Sequence, residues 1–122
     1  MHIFIADADK KLRVALQILL HQEPGMQVTG VATDAKGLLA QVEASQPDVL
    51  LLDWYLPGMP VTDLLADLQA LDMPPKIVVL SVRPEVKSTA LASGADAFAD
   101  KSGSPEELLA YLHTMRNTKH VN

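Results

Sequence analysis

Val49-Leu50-Leu51-Leu52-Asp53 is four apolar residues in a row closed by an acid, with Pro47 before it and Pro57-Gly58 after it. A strand with one wet face alternates apolar and polar residues. This one does not, so both of its faces are expected to be covered, as in a parallel sheet lying between helices. The same form recurs outward from it. Ile3-Phe4-Ile5-Ala6 precedes Asp7, Ile77-Val78-Val79-Leu80 precedes Ser81, and residues 95–99 precede Asp100-Lys101. Residues 26–32 read as a further strand, followed by Thr33-Asp34, which has the pattern of a helix cap.

Between these runs the apolar residues recur at a helical spacing of about 3.6. From Asp9 onward Leu12, Ala15, Leu16, Leu19 and Leu20 share a helical face, broken by Pro24-Gly25. Leu38, Leu39 and Val42 mark a second helix over residues 35–45, and Leu64, Leu65, Leu68 and Leu71 a third. A weaker fourth spans residues 84–93, with Val86, Ala90 and Leu91 facing inward and Gly94 as its stop. The fifth opens on Ser104 as N-cap, Pro105 in the first turn and Glu107 completing a capping box, then buries Leu108, Leu109 and Leu112. Five alternations of strand and helix give an α/β, doubly wound (βα)5 three-layer sandwich. Residues 1–116 are expected to form one domain, and 117–122 a polar tail.

Composition removes several functions. The chain has 122 residues, a formal charge of −5 and no cysteine. The negative balance argues against binding nucleic acid through a basic face, and thiolate chemistry and Cys-type zinc sites are impossible. No apolar run approaches the roughly 20 residues of a membrane span. The N-terminus lacks the basic and apolar segments of a signal peptide, so a cytoplasmic location is the expectation. His2, His21, His113 and His120 have no ligand spacing. Met26, Met59, Met73 and Met115 read as core or loop fillers.

In open α/β sheets the ligand site lies beyond the carboxyl ends of the strands. Asp7, Asp9, Asp53, Ser81, Asp100 and Lys101 all fall there. Each has a plainer role available: Asp9 as a helix cap, Asp53 as a turn residue, Ser81 as a cap and Lys101 as a surface lysine. Collected on one edge they fit phosphoryl transfer. A carboxylate can attack phosphorus and form an acyl phosphate. Mg²⁺ is held by one or two carboxylates, while a hydroxyl and an ammonium take the remaining phosphoryl oxygens.

Three spaced motifs resemble those of response-regulator receiver domains. Val49 through Met59 is similar to their phosphoacceptor strand and loop, Val78-Val79-Leu80-Ser81 to their strand ending in Ser or Thr, and Gly94 through Lys101 to their Gly-Ala-x-x-aromatic-x-x-Lys signature. The resemblance implies a flavodoxin-like sheet of order 2-1-3-4-5. It implies that Asp53 accepts a phosphoryl group from a sensor histidine kinase or phosphotransfer protein. Asp7, Asp53 and the backbone carbonyl of Tyr55 would hold Mg²⁺. Ser81 and Lys101 would engage the phosphoryl group, and Phe98 would be the switch aromatic. The output face would be helix four, strand five and helix five, offered to a downstream protein, an effector domain or a second copy. No turnover is expected beyond self-phosphorylation and self-dephosphorylation.

Departures from the pattern concentrate in the first loop. Ala8 stands where the family carries a second acid, which weakens metal binding unless Asp9 substitutes; if Asp9 caps the helix it cannot. Val82 is larger than the usual residue after the serine. Tyr55 and Arg83 flank the phosphorylation site, and Tyr55 is bulky enough to shield an acyl phosphate from water. Ser102 replaces a proline often found after the lysine, which argues against a cis bond there. Two other readings remain open. A degenerate receiver could act as a phosphorylation-independent interaction module. Ile3 through Asp9 also resembles the first motif of haloacid-dehalogenase-type phosphatases, with Asp7 as nucleophile and Asp9 as general acid, but that reading leaves Asp53 without a role.

Overall fold

The computed structural model describes residues 1–119, the side chains of 117–119 excepted. Its elements run β1 (His2–Ala6), α1 (Lys10–His21), β2 (Gln27–Ala32), α2 (Leu38–Ser45), β3 (Val49–Asp53), α3 (Val61–Gln69), β4 (Lys76–Ser81), α4 (Lys87–Ala92, entered through a 3-10 turn at Pro84–Val86), β5 (Ala97–Asp100) and α5 (Pro105–Lys119). All paired strands are parallel, in the order β2-β1-β3-β4-β5.

Strand residues point alternately to the two faces, so each strand feeds two cores. Phe4, Leu50, Leu52, Ile77, Val79 and Phe98 pack with Leu38, Leu64, Leu65, Leu68 and Ala90, which puts α2, α3 and α4 on one face. Ile3, Ile5, Leu51, Val78 and Leu80 pack with Leu16, Leu20, Leu108 and Leu112, which puts α1 and α5 on the other. Every residue of β3 is buried, as its unbroken apolar run requires.

The borders differ from the sequence pattern at identifiable places. Strand β2 lies on the sheet edge and is only half covered, so its pattern is not continuously apolar. Helix α2 starts at Leu38 rather than at residue 35. Asp34 Oδ1 accepts from Lys36 N at 2.9 Å in a turn, Ala35 N donates to Pro57 O at 2.8 Å, and Gly37 at φ 76° begins the helix. Asp34 therefore caps a turn and not a helix. Leu91 is exposed, because α4 is only six residues long and Ala90 alone of its residues is buried. Met73 is also exposed. At the start of α5 the Ser104 hydroxyl meets Glu106, not Glu107, and holds the Glu106 carboxyl below its ordinary range; Glu107 instead faces the Tyr111 hydroxyl at 3.4 Å. Helix α5 extends into the expected tail as far as Lys119, since adding a turn to an existing helix costs little. The rest of that tail, 120–122, lies outside the described residues.

One close approach is dictated by sequence. A Cβ on Gly30 of β2 would stand 2.5 Å from Cε2 of Phe4, whose ring is buried. Gly30→Ala is expected to destabilise the protein by about 1–3 kcal/mol through overpacking, read as a lower urea midpoint with an unchanged slope.

Candidate functional site

Hydrogen bonds continue the strand ladders into the loops after them. Asp7 N donates to Ala32 O at 3.0 Å, Trp54 N to Leu80 O at 2.9 Å and Lys101 N to Ser81 O at 2.9 Å. Because the strands are parallel and in register, this carries Asp7, Asp53, Ser81 and Lys101 to the same edge of the sheet. All four converge there as the sequence pattern implied. Asp7 is 0% exposed, Asp53 6% and Ser81 1%, three polar side chains within an otherwise apolar core.

The Lys101 ammonium joins the two acids. Its Nζ is 2.7 Å from Asp7 Oδ2 and 3.1 Å from Asp53 Oδ1, and its side chain is only 15% exposed. A backbone amide holds the other oxygen of Asp7, Asp9 N donating to Oδ1 at 2.8 Å. On Asp53 the amide shares the ammonium's oxygen, Tyr55 N donating to Oδ1 at 3.0 Å. Oδ2 of Asp7 has the ammonium off its hydrogen-bonding direction and no other donor among the described residues. Burial works against the charge on Lys101, but the carboxylates of Asp7 and Asp53 outweigh it and raise its pKa above the ordinary value.

The remaining predicted residues divide. Asp9 is the N-cap of α1: its Oδ1 accepts from Lys11 N at 2.9 Å and Leu12 N at 3.4 Å. Ser81 Oγ accepts from Arg83 N at 3.0 Å and is held beside the mouth. Tyr55 and Val82 are both exposed, 55% and 58%, and Arg83 pairs loosely with Glu85 at 3.9 Å. Phe98 is packed inward among the residues of α3 and α4. Its ring also lines a cavity of about 750 Å³ with Leu91, Tyr111 and Met115, well away from Asp53. No cis peptide occurs among the described residues. Arg13 was not singled out from sequence, yet its guanidinium donates to Asp7 O at 2.8 Å and braces the β1–α1 loop. Its place one turn after Asp9 was the available signal.

The donor set suits a hard cation. The Asp7 and Asp53 carboxylates are oxygen donors, and Mg²⁺ is commonly held by one or two carboxylates with waters filling the rest. The under-satisfied, buried Oδ2 of Asp7 is the atom such an ion would complete. No group of three His, Cys, Asp or Glu side chains able to hold a metal exists among the described residues.

A family model for the response regulator receiver domain matches residues 3–113. The chain belongs to that family. It is 34% identical to the nitrate/nitrite response regulator NarL of Escherichia coli over 91% of this chain and 52% of NarL. It is likewise 34% identical to the sensory transduction protein RegX3 of Mycobacterium tuberculosis, over 93% of this chain and 49% of RegX3. The signal receiver domain of NarL from Mycobacterium tuberculosis superposes with a TM-score of 0.83 at 26% identity, covering 94% of this chain and 95% of that one. This receiver thus spans about half the length of the curated relatives it matches. Membership removes the dehalogenase-type phosphatase reading, and Asp9, spent on a cap, is poorly placed for the acid role that reading gave it.

Two outcomes follow. Asp9→Ala is expected to lower stability by about 0.5–2 kcal/mol through loss of the cap, with Asp9→Ser restoring most of it, both by thermal denaturation. Because the folded pKa of Lys101 is raised, its contribution to stability is full below the unfolded value of 10.5 and is lost as pH climbs through the folded value. The stability gap between the wild type and Lys101→Met is therefore expected to stay level through mildly alkaline pH and to narrow above 10.5, as read by urea denaturation at each pH.

Proposed function

We propose that this receiver accepts a phosphoryl group on Asp53 in a two-component system. The observation that carries the reading is the convergence of Asp53, nearly buried at the sheet edge, with the Lys101 ammonium 3.1 Å away. Tyr55 N fixes the same oxygen, so the carboxylate is oriented before a donor arrives, which is where most of the advantage in phosphoryl transfer lies.

In the transfer, a carboxylate oxygen of Asp53 bonds to phosphorus as the nitrogen–phosphorus bond of a phosphohistidine breaks. The electron pair of that bond stays with the imidazole. The product is an acyl phosphate. Mg²⁺, which Asp7, Asp53 and the Tyr55 carbonyl would hold, would supply neutralising charge to the phosphoryl oxygens. Lys101 turns its ammonium from the carboxylates to the new anion. Ser81 exchanges its bond from Arg83 N for one to a phosphoryl oxygen. That movement, at the end of β4, is the step through which Phe98 and the surface of α4, β5 and α5 would change.

The partners of this reading are a sensor histidine kinase or phosphotransfer protein upstream. Downstream stands an effector domain, a separate target or a second copy engaging the α4–β5–α5 face. The half-length match to NarL and RegX3 supports an effector domain. Ala8 supports a second reading, a receiver used as an interaction module without phosphorylation.

Intact-mass measurement after incubation with acetyl phosphate and Mg²⁺ separates the two. A gain of one phosphoryl group is expected in the wild type and none in Asp53→Asn. Labelling is expected to persist in Ser81→Ala, with the change in Trp54 fluorescence on phosphorylation reduced. Failure of the wild type to label, under conditions that label another receiver, leaves the interaction module.

A further inference from the structure

At the amino ends of the strands, opposite Asp53, lies the cavity of about 750 Å³ that Phe98 lines. It touches the first residues of β3, β4 and β5, at Val49, Lys76 and Ala97, and reaches α4 and α5. Asp7, Asp53, Ser81 and Lys101 take no part in it. Its walls are mainly apolar. Phe98 and Tyr111 supply two aromatic rings, and Met73 and Met115 two flexible thioethers. A volume of a few hundred to about 1,000 Å³, walled by apolar and aromatic groups with a few polar ones, is that of a small-molecule site. An aromatic guest suits such a wall, since rings pack edge to face or offset on rings and thioether sulfur is attracted to them. Leu91 and Met73, large apolar side chains that the fold leaves 40% and 66% exposed, both line this space.

The charges around the cavity say what else the guest carries. Four charged side chains line it, Asp48, Lys76, Lys87 and Asp96. Three are committed. Lys76 Nζ lies 3.9 Å from Asp96 Oδ1, and Asp96 Oδ2 also accepts from Ile77 N at 2.8 Å. Asp48 Oδ2 accepts from His2 N at 2.7 Å. The Lys87 ammonium, on α4 one turn before Leu91, has no ion pair or hydrogen bond among the described residues. One uncommitted positive charge therefore stands beside an apolar cavity. Its complement is a molecule with a single negative charge at one end and an apolar body.

We propose that this cavity binds a small aromatic carboxylate, its rings against Phe98, Tyr111 and the methionines and its carboxylate toward Lys87. Lys87 is exposed, so its charge selects the head group, while contact with the apolar wall supplies most of the affinity. The site is separate from the sheet edge that carries Asp53, and the inference does not rest on the phosphoacceptor reading.

The test uses two fluorescent probes on the full chain, with circular dichroism to confirm folding. One is anilinonaphthalene sulfonate, an aromatic anion; the other is phenylnaphthylamine, its neutral counterpart. The anion is expected to saturate one site per chain by calorimetry and to be displaced by naphthoate. Lys87→Glu is expected to weaken the anion by about fivefold, the scale of one exposed ion pair, and to leave the neutral probe unchanged. Leu91→Ser is expected to weaken both probes by about tenfold, the scale of one leucine surface becoming covered. Both substitutions lie on the exposed side of α4, away from the core. Absence of saturable binding by the anion would overturn the inference and leave the cavity to a protein partner on the α4–β5–α5 face. Failure of naphthoate to displace the anion would overturn it too, as would undiminished anion binding by either variant. No phosphoryl donor is present, so a negative result leaves acyl phosphate formation on Asp53 standing.

Discussion

A single ammonium between two buried carboxylates is the contact on which the working edge of this protein depends. A buried carboxylate left without a partner is strongly disfavoured. Removing one member of such a pair typically costs about 3–5 kcal/mol, because the partner is left uncompensated. Lys101 reaches both acids because it follows β5 directly and its amide is tied to Ser81 O. The bridge spans three of the five strands, joining the ends of β1, β3 and β5. It thus fastens together the loops that phosphoryl chemistry would have to move.

The sheet beneath makes that contact possible. Parallel strands in register end level with one another, so residues that follow them in sequence become neighbours in space. The apolar layers on the two faces are complete, with α2, α3 and α4 on one and α1 and α5 on the other. The polar groups at the top are therefore set on a rigid base. The exposed positions around the mouth, Tyr55, Val82 and Arg83, are free of that packing and can differ between receivers without disturbing it.

Element type and order were legible because continuous apolar runs and helical leucine stripes have different periods. The site was legible for a related reason: a polar residue placed straight after a buried strand has only one edge of the sheet to occupy. What sequence misjudged lies at short or peripheral elements. The start of α2 was obscured by a turn at Asp34 and a left-handed Gly37. The expected inward face of Leu91 fails because α4 is too short to impose one, and the Ser104 hydroxyl meets the Glu106 carboxyl.

The layered α/β class, the parallel sheet and the set of residues at its edge follow from local periodicity and from position along a strand, both properties of single stretches of sequence. Which of those residues pair with one another depends on how distant segments pack. Asp9 could cap a helix or face the pocket, and the start of α1 at Lys10 commits its carboxylate to backbone amides. Arg13 acquired a role only when α1 folded back over the loop. Pairing depends on distances of a few ångströms between segments far apart in the chain, and those distances are set by packing that no single stretch of sequence contains.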